Sequence, residues 1–108
     1  MLRFGLAYKD IETAVQRIGP ILGLEFEKHD SSFRGGDYYR HSLKDGGAVL
    51  IQRNLDQLDA EAFVDDWPPD QTLLVFDGLS GTCEQSLSAK LDAMLADKSV
   101  KLIGWVLS

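Results

Sequence analysis

His29 and His41 are the two histidines of the chain, and Arg34, Asp37, Tyr38, Tyr39 and Arg40 lie between them. Residues of these types can form a general acid/base pair, with the arginines holding an anionic substrate. Such chemistry needs groups placed within hydrogen-bond reach of one another, and no spacing here implies that placement. The plainer reading, a hairpin whose exposed faces are polar and aromatic, is preferred. Metal binding has less to build on. Cys83 is the one cysteine, and no His-x-x-x-His or His-x-x-Glu-His spacing accompanies the histidines. No catalytic residue is assigned, the chain is not expected to be an enzyme, and no metal or cofactor is expected.

Two glycine pairs invite a phosphate reading. Gly35-Gly36 is too short for a dinucleotide fingerprint, which needs three spaced glycines opening a helix. These two glycines are instead expected to supply a positive-φ turn or bulge between strands. Gly78-Leu79-Ser80-Gly81 falls between a strand and a helix, where an anion could meet the helix N-terminus. The neighbouring carboxylates of Asp77 and Glu84 oppose that. Cys83 falls on the apolar stripe of the helix and reads as a small buried hydrophobe rather than a nucleophile.

The most informative segment runs from Asn54 to Asp70, NLDQLDAEAFVDDWPPD. A solvated connection is the ordinary reading of a charge run. Yet a connection of this length inside a compact domain is uncommon without a function. It combines carboxylates with Phe63 and Trp67, the mixture of steering charge and aromatic anchor used at binding hot spots. Asp56, Asp59, Glu61, Asp65, Asp66, Trp67 and Asp70 are therefore the candidate partner-binding residues. Charge supports a basic partner. Residues 1–53 hold eight Lys/Arg and seven Asp/Glu, whereas residues 54–108 hold three and ten, which makes up the net −6. Between Asn54 and Asp77 there are seven acids and no base. Such a surface repels phosphate backbones, so direct nucleic-acid binding is not expected, and it attracts a basic protein.

The elements that must carry these segments follow from apolar periodicity. Leu2, Phe4, Leu6 and Tyr8 alternate with polar or small residues as a first strand. Asp10 serves as an N-cap for a helix with Ile11, Ala14, Val15 and Ile18 on one side. Gly19-Pro20 should disturb that helix, leaving Ile21-Leu22 as a final turn before Gly23 closes it. Leu24 to Lys28 alternates as a second strand, residues 29–37 have turn chemistry, and Tyr38 to Leu43 reads as a third strand. Asp45-Gly46-Gly47 makes a tight turn into Ala48–Arg53. Thr72 to Phe76 is apolar on both faces, as a central strand should be. Thr82-Cys83-Glu84-Gln85 is a capping-box pattern. The helix it opens has the stripe Cys83, Leu87, Leu91, Met94 and Leu95, and Val100 to Leu107 closes the chain.

The order β-α-β-β-β-β-α-β predicts an α/β fold of the α+β two-layer type. A mixed sheet of about six strands carries both helices on one face, with right-handed crossovers where flanking strands run parallel. The other sheet face is expected to be open to solvent, to a twin subunit or to a partner. At 108 residues, 44% apolar and 26% charged, the chain is expected to form a single domain over residues 1–108. The unpaired cysteine suits a reducing compartment. No signal-like apolar run follows Met1, and no stretch approaches the roughly 20 residues that cross a bilayer. A soluble, cytoplasmic protein without a membrane partner is expected.

The stretch EKHDSSFRGGDYYR from Glu27 to Arg40, with LIQRN (Leu50–Asn54) and LLVF (Leu73–Phe76), resembles small bacterial immunity proteins. These are encoded beside polymorphic toxins of contact-dependent growth-inhibition systems. The resemblance spans residues 1–80 or so and rests chiefly on Ser-Ser-x-x-Gly-Gly-x-Tyr-Tyr, Ser31 to Tyr39. It implies a cytosolic protein that protects the producing cell by binding one toxin domain, commonly a nuclease, at or near its active site. Binding residues are not carried over by position, because such proteins vary most where they bind.

A second resemblance belongs to a different class. Residues 1–53, with Leu22-Gly23-Leu24-Glu25-Phe26 after the helix, look like one module of the vicinal-oxygen-chelate proteins, the glyoxalase and bleomycin-resistance relatives. That pattern places a metal-holding His or Glu on the first and fourth strands. Here the first strand offers Arg3, Tyr8 and Lys9, and the fourth offers Gln52 and Arg53. The departure removes the metal chemistry and leaves a small-molecule-binding or metal-independent relative. A third reading is a homodimer formed through the open sheet face.

Overall fold

A computed structural model of the chain describes residues 2–31, 36–44, 46–53, 72–78 and 81–107, and the side chains of these except at 81–87 and 105–107. Its elements are β1 (Leu2–Leu6), α1 (Ile11–Leu22), β2 (Glu27–Ser31), β3 (Gly36–Ser42), β4 (Ala48–Arg53), β5 (Thr72–Asp77), α2 (Gly81–Ala96) and β6 (Leu102–Leu107). The strands form one sheet in the order β2-β3-β4-β5-β1-β6, which with the helices makes the expected α+β fold. Every neighbouring pair is antiparallel, so the sheet is not mixed. The expected crossovers do join strands that point the same way, since β1 matches β2 in direction and β5 matches β6. In both cases antiparallel strands lie between them. Each helix therefore spans other strands instead of linking neighbours.

Side-chain alternation sorts the sheet into two faces. Phe4 and Leu6 of β1, Val49 and Ile51 of β4, and Leu74 and Phe76 of β5 share one cluster with Ile11, Ala14, Ile18 and Leu22 of α1 and Met94 of α2. The rings of Phe4 and Phe76 meet edge to face, 5.9 Å apart. On the other face Ala48, Leu50, Leu73 and Val75 form a second cluster against Tyr38. Leu50, Leu73 and Val75 are no more than 2% exposed, so the centre of this face is closed, contrary to the expectation of an open one. The reason lies in the sequence of β4 and β5, which are apolar at odd and even positions alike. Arg3, Tyr38 and Gln52 share that face, and each has an interaction partner.

Asp10 caps α1 as expected: its carboxylate accepts from the Glu12 N–H at 3.2 Å and from the Thr13 hydroxyl at 3.0 Å. The helix runs through Pro20 without ending. A proline in the last turn forfeits one hydrogen bond, while Ile18 and Leu22 on either side of it are fully buried. Gly23 then closes the helix in the left-handed conformation, φ 65°. Leu24 and Phe26 alternate because both pack on the core while the chain leaves the helix, and strand pairing begins only at Glu27. On α2, Met94 is buried and Leu91 packs against the core, but Leu95 is 51% exposed. Leu95 lies about 100° round the helix from Met94, beyond the seam with the sheet. The capping-box side chains, Cys83 and Leu87 lie outside the described side chains.

The turn between β3 and β4 takes the expected form, with Leu43 N–H donating to the Gly47 carbonyl at 2.8 Å and Gly46 at φ 93°. Gly47 is there for a different reason, close backbone approach. A Cβ at Gly47 would lie 2.7 Å from the Gly78 carbonyl oxygen and 2.9 Å from that of Asp77. Main chain cannot yield as a flexible side chain does. Gly47→Ala should cost about 2 kcal/mol and lower the melting temperature by roughly 10 °C in thermal unfolding. Gly36, at φ 94° with open space around its Cβ position, carries only backbone strain, so Gly36→Ala should cost about 1 kcal/mol. A smaller loss at Gly47 than at Gly36 would contradict the close approach.

Tyr8 ties the end of β1 to the start of β6. Its hydroxyl donates to the Ser99 carbonyl at 2.6 Å and accepts from the Lys101 N–H at 3.2 Å, and its own carbonyl accepts from the buried Thr72 hydroxyl at 2.7 Å. Tyr8→Phe leaves the ring packed and strands both Ser99 and Lys101. The expected loss is about 1.5 kcal/mol, read as a lowered midpoint in urea with an unchanged slope.

Candidate functional site

The polar residues singled out between His29 and His41 fall on the β2–β3 hairpin at one margin of the sheet. Its register pairs Glu27 with Arg40, Lys28 with Tyr39, His29 with Tyr38, Asp30 with Asp37 and Ser31 with Gly36. On the face away from the helices, the His29 and Tyr38 rings stack with centroids 5.4 Å apart and planes at 23°. His29 Nε2 lies 3.7 Å from a Glu27 carboxylate oxygen. On the helix face, Lys28 Nζ lies 3.5 Å from Asp37 Oδ2 and 3.8 Å from Glu12 Oε1, which links the hairpin to the first turn of α1. These ion pairs are exposed and screened, so they orient the hairpin more than they stabilise it.

The two histidines do not form an acid/base pair. Tyr38 and His41 are three positions apart on β3 and face opposite ways, which puts His29 and His41 on opposite faces of the sheet. His41 Nδ1 donates to the Glu25 carbonyl oxygen at 2.8 Å. A carbonyl can only accept, so Nδ1 carries the hydrogen and Nε2 is left as the acceptor of the neutral ring. The Phe26 ring meets His41 edge to face at 6.4 Å. Glu25, Phe26, Glu27, Arg40, His41 and Ser42 line an open groove of about 380 Å³. Within it Arg40 Nε donates to Ser42 Oγ at 3.1 Å. His41 and Ser42 are adjacent on a strand and point apart, so the groove assembles no serine–histidine couple.

Among the described residues no three His, Cys, Asp or Glu side chains gather as a metal site, and no helix is long and apolar enough to cross a membrane. The candidate partner-binding residues Asp56, Asp59, Glu61, Asp65, Asp66, Trp67 and Asp70 lie outside the described residues, as do Arg34 and Gly35. Their anchorage is described. Arg53 pairs with Thr72 across β4 and β5, so residues 54–71 leave and re-enter the sheet on adjacent, register-matched strand ends. The β2–β3 connection leaves from that same end, because Asp37 and Asp30 pair there. The Ser-Ser-x-x-Gly-Gly segment and the acidic segment thus depart from one end of the sheet. Of the glycine pair, the described Gly36 has the expected positive φ, 94°, as the first residue of β3.

Reading the residues alone missed the Lys28 ion pairs and the Glu25–Phe26–His41 groove. Both depend on the strand register, which a second strand placed at Leu24–Lys28 obscures. The fold and hairpin define a small antiparallel α+β protein with a charged, exposed sheet margin. Comparison of the chain with protein-family models, with curated proteins and with solved structures finds no match.

The Asp37 carboxylate, followed by the Tyr39 phenol, holds the Lys28 ammonium above its ordinary 10.5. The direction follows from stabilisation of the charged form by neighbouring acids. Titration of the Lys28 side chain by NMR should place its midpoint above the ordinary 10.5, and Asp37→Asn should bring it down. An unchanged midpoint in Asp37→Asn would show that the 3.5 Å contact is not made in solution.

Proposed function

We propose that this protein is an immunity protein, which binds and neutralises a cognate basic toxin domain of nuclease type in the cytoplasm of the producing cell. It acts by binding rather than by catalysis. The observation that carries this reading is the run of seven acids without a base from Asn54 to Asp77. Nuclease clefts must attract phosphate and are positive, so a protein that fills one presents the opposite sign. The anchorage of residues 54–71 on two buried central strands supports the same reading, since recognition segments are commonly held by a rigid scaffold. The small-molecule alternative has less support. Phe4, Leu6, Val49 and Ile51 fill the helix-side face of β1 and β4 with apolar core, and the one charged residue these two strands place on that face is Arg53, exposed at the end of β4.

Rim carboxylates govern mainly association rate, whereas a desolvated carboxylate paired with Lys or Arg governs dissociation and is worth about 2–5 kcal/mol on truncation. Asp65→Asn with Asp66→Asn should weaken protection against the toxin encoded beside this gene, and raised salt should slow association of the unaltered protein. Growth of cells expressing that toxin, with and without this chain, reads the first effect, and stopped-flow mixing reads the second. Absence of any protection by the unaltered chain would sink the immunity reading. Unchanged rate and affinity in the double variant would sink the role of these two residues.

A further inference from the structure

We infer that the outer edge of β2 pairs with β2 of a second copy of this chain, antiparallel about a two-fold axis through His29. Among the described residues β2 ends the sheet, and Glu27, Lys28, His29 and Asp30 are all exposed. An edge strand presents unpaired N–H and C=O groups to any strand that fits its side chains. A two-fold axis normal to the sheet keeps the helix face of one copy level with the helix face of the other. Lys28 and Asp30, the helix-face residues of β2, must then meet Lys28 and Asp30 of the second copy.

That condition leaves three central registers. One sets Lys28 against Lys28 and another sets Asp30 against Asp30, and like charges directly opposite are unfavourable. The remaining register sets Lys28 against Asp30 twice, once on each side of the axis. On the other face it sets His29 against its counterpart and Glu27 against Ser31, opposing no two carboxylates and no two ammoniums. A second feature points the same way. Within one chain Asp30 lies directly across from Asp37, two like charges on the same face. Lys28 of the same chain approaches Asp37 at 3.5 Å. The second copy's Lys28 would stand beside Asp30, giving both carboxylates a cation.

Sedimentation and light scattering on the purified full chain, followed over dilution, test this directly. The unaltered chain should dimerise reversibly, and raised salt should weaken the dimer. Lys28→Glu alone, or Asp30→Lys alone, turns both cross-axis pairs repulsive and should raise the dimer dissociation constant by about tenfold. Mixing the two single variants should restore dimers. In each mixed dimer the introduced glutamate faces the introduced lysine on one side of the axis, and the native Asp30 faces the native Lys28 on the other. Circular dichroism on each variant separates lost pairing from lost folding, and recovery on mixing cannot come from misfolded chains. A monomer at every concentration reached, or dimers indifferent to both substitutions, would overturn the assignment, as would single variants that stay apart when mixed.

Discussion

β4 and β5 pair in continuous register from Ala48 with Asp77 to Arg53 with Thr72, and five successive residues of each are buried. Because consecutive side chains point to opposite faces, this pair cannot be half-solvated. It must be covered on both sides, and a slip of one residue would exchange the two clusters and move Gln52 into the helix-side core. The pair therefore fixes which face α1 and α2 cover and where Tyr38 of β3 must lie. Gly47 and Gly78 bring the main chains together at one end of it. The other end is where residues 54–71 leave and return. Most of the described polar geometry is a consequence of this strand pair being held in one register.

That dependence explains why the central elements were legible and the margin was not. β4 and β5 are runs of Val, Leu, Ile and Phe bounded by turn residues, a pattern with no competing period. The limits of α1 were legible from Asp10 and Gly23, whose capping roles are local chemistry. β2 gives no such signal. Glu27, Lys28, His29, Asp30 and Ser31 have no apolar face, so their strand conformation comes from pairing with β3 rather than from their own pattern. Leu24 and Phe26 mimic a strand while serving as core residues on the way out of a helix. The direction of the strands was equally hidden, since a helix can join two parallel strands with or without others between them.

The candidate site divides along the same line. His29 and His41 looked like a pair because they are near in sequence, but alternation on a strand separates such neighbours as readily as it joins them. What the register brings together is charge: Lys28 with Asp37 and Glu12 on one face, and the His29–Tyr38 stack beside Glu27 on the other. These contacts were illegible without the pairing of Lys28 with Tyr39, from which each of them follows. The acidic segment was legible as composition, and the sheet adds the reason it can be long. Its two ends are held on neighbouring buried strands, and closing a longer loop costs only slowly more entropy.

The uneven charge also limits which surfaces can meet which. Residues 54–108 carry a balance of −7, from three bases and ten acids, and two such surfaces repel each other. Residues 1–53 balance at +1, from eight bases and seven acids, and there opposite charges can alternate closely enough to complement a copy of themselves. Lys28 and Asp30, two apart on one strand face, are such an alternation. The proposed self-association thus falls at the β2 margin, and the proposed basic partner falls to the segment between β4 and β5. β3 stands between β2 and β4, so Arg53 and Thr72, the strand ends from which that segment departs, are not on the β2 edge. A dimer joined along β2 would therefore leave Arg53 and Thr72 unpaired by the dimer contact.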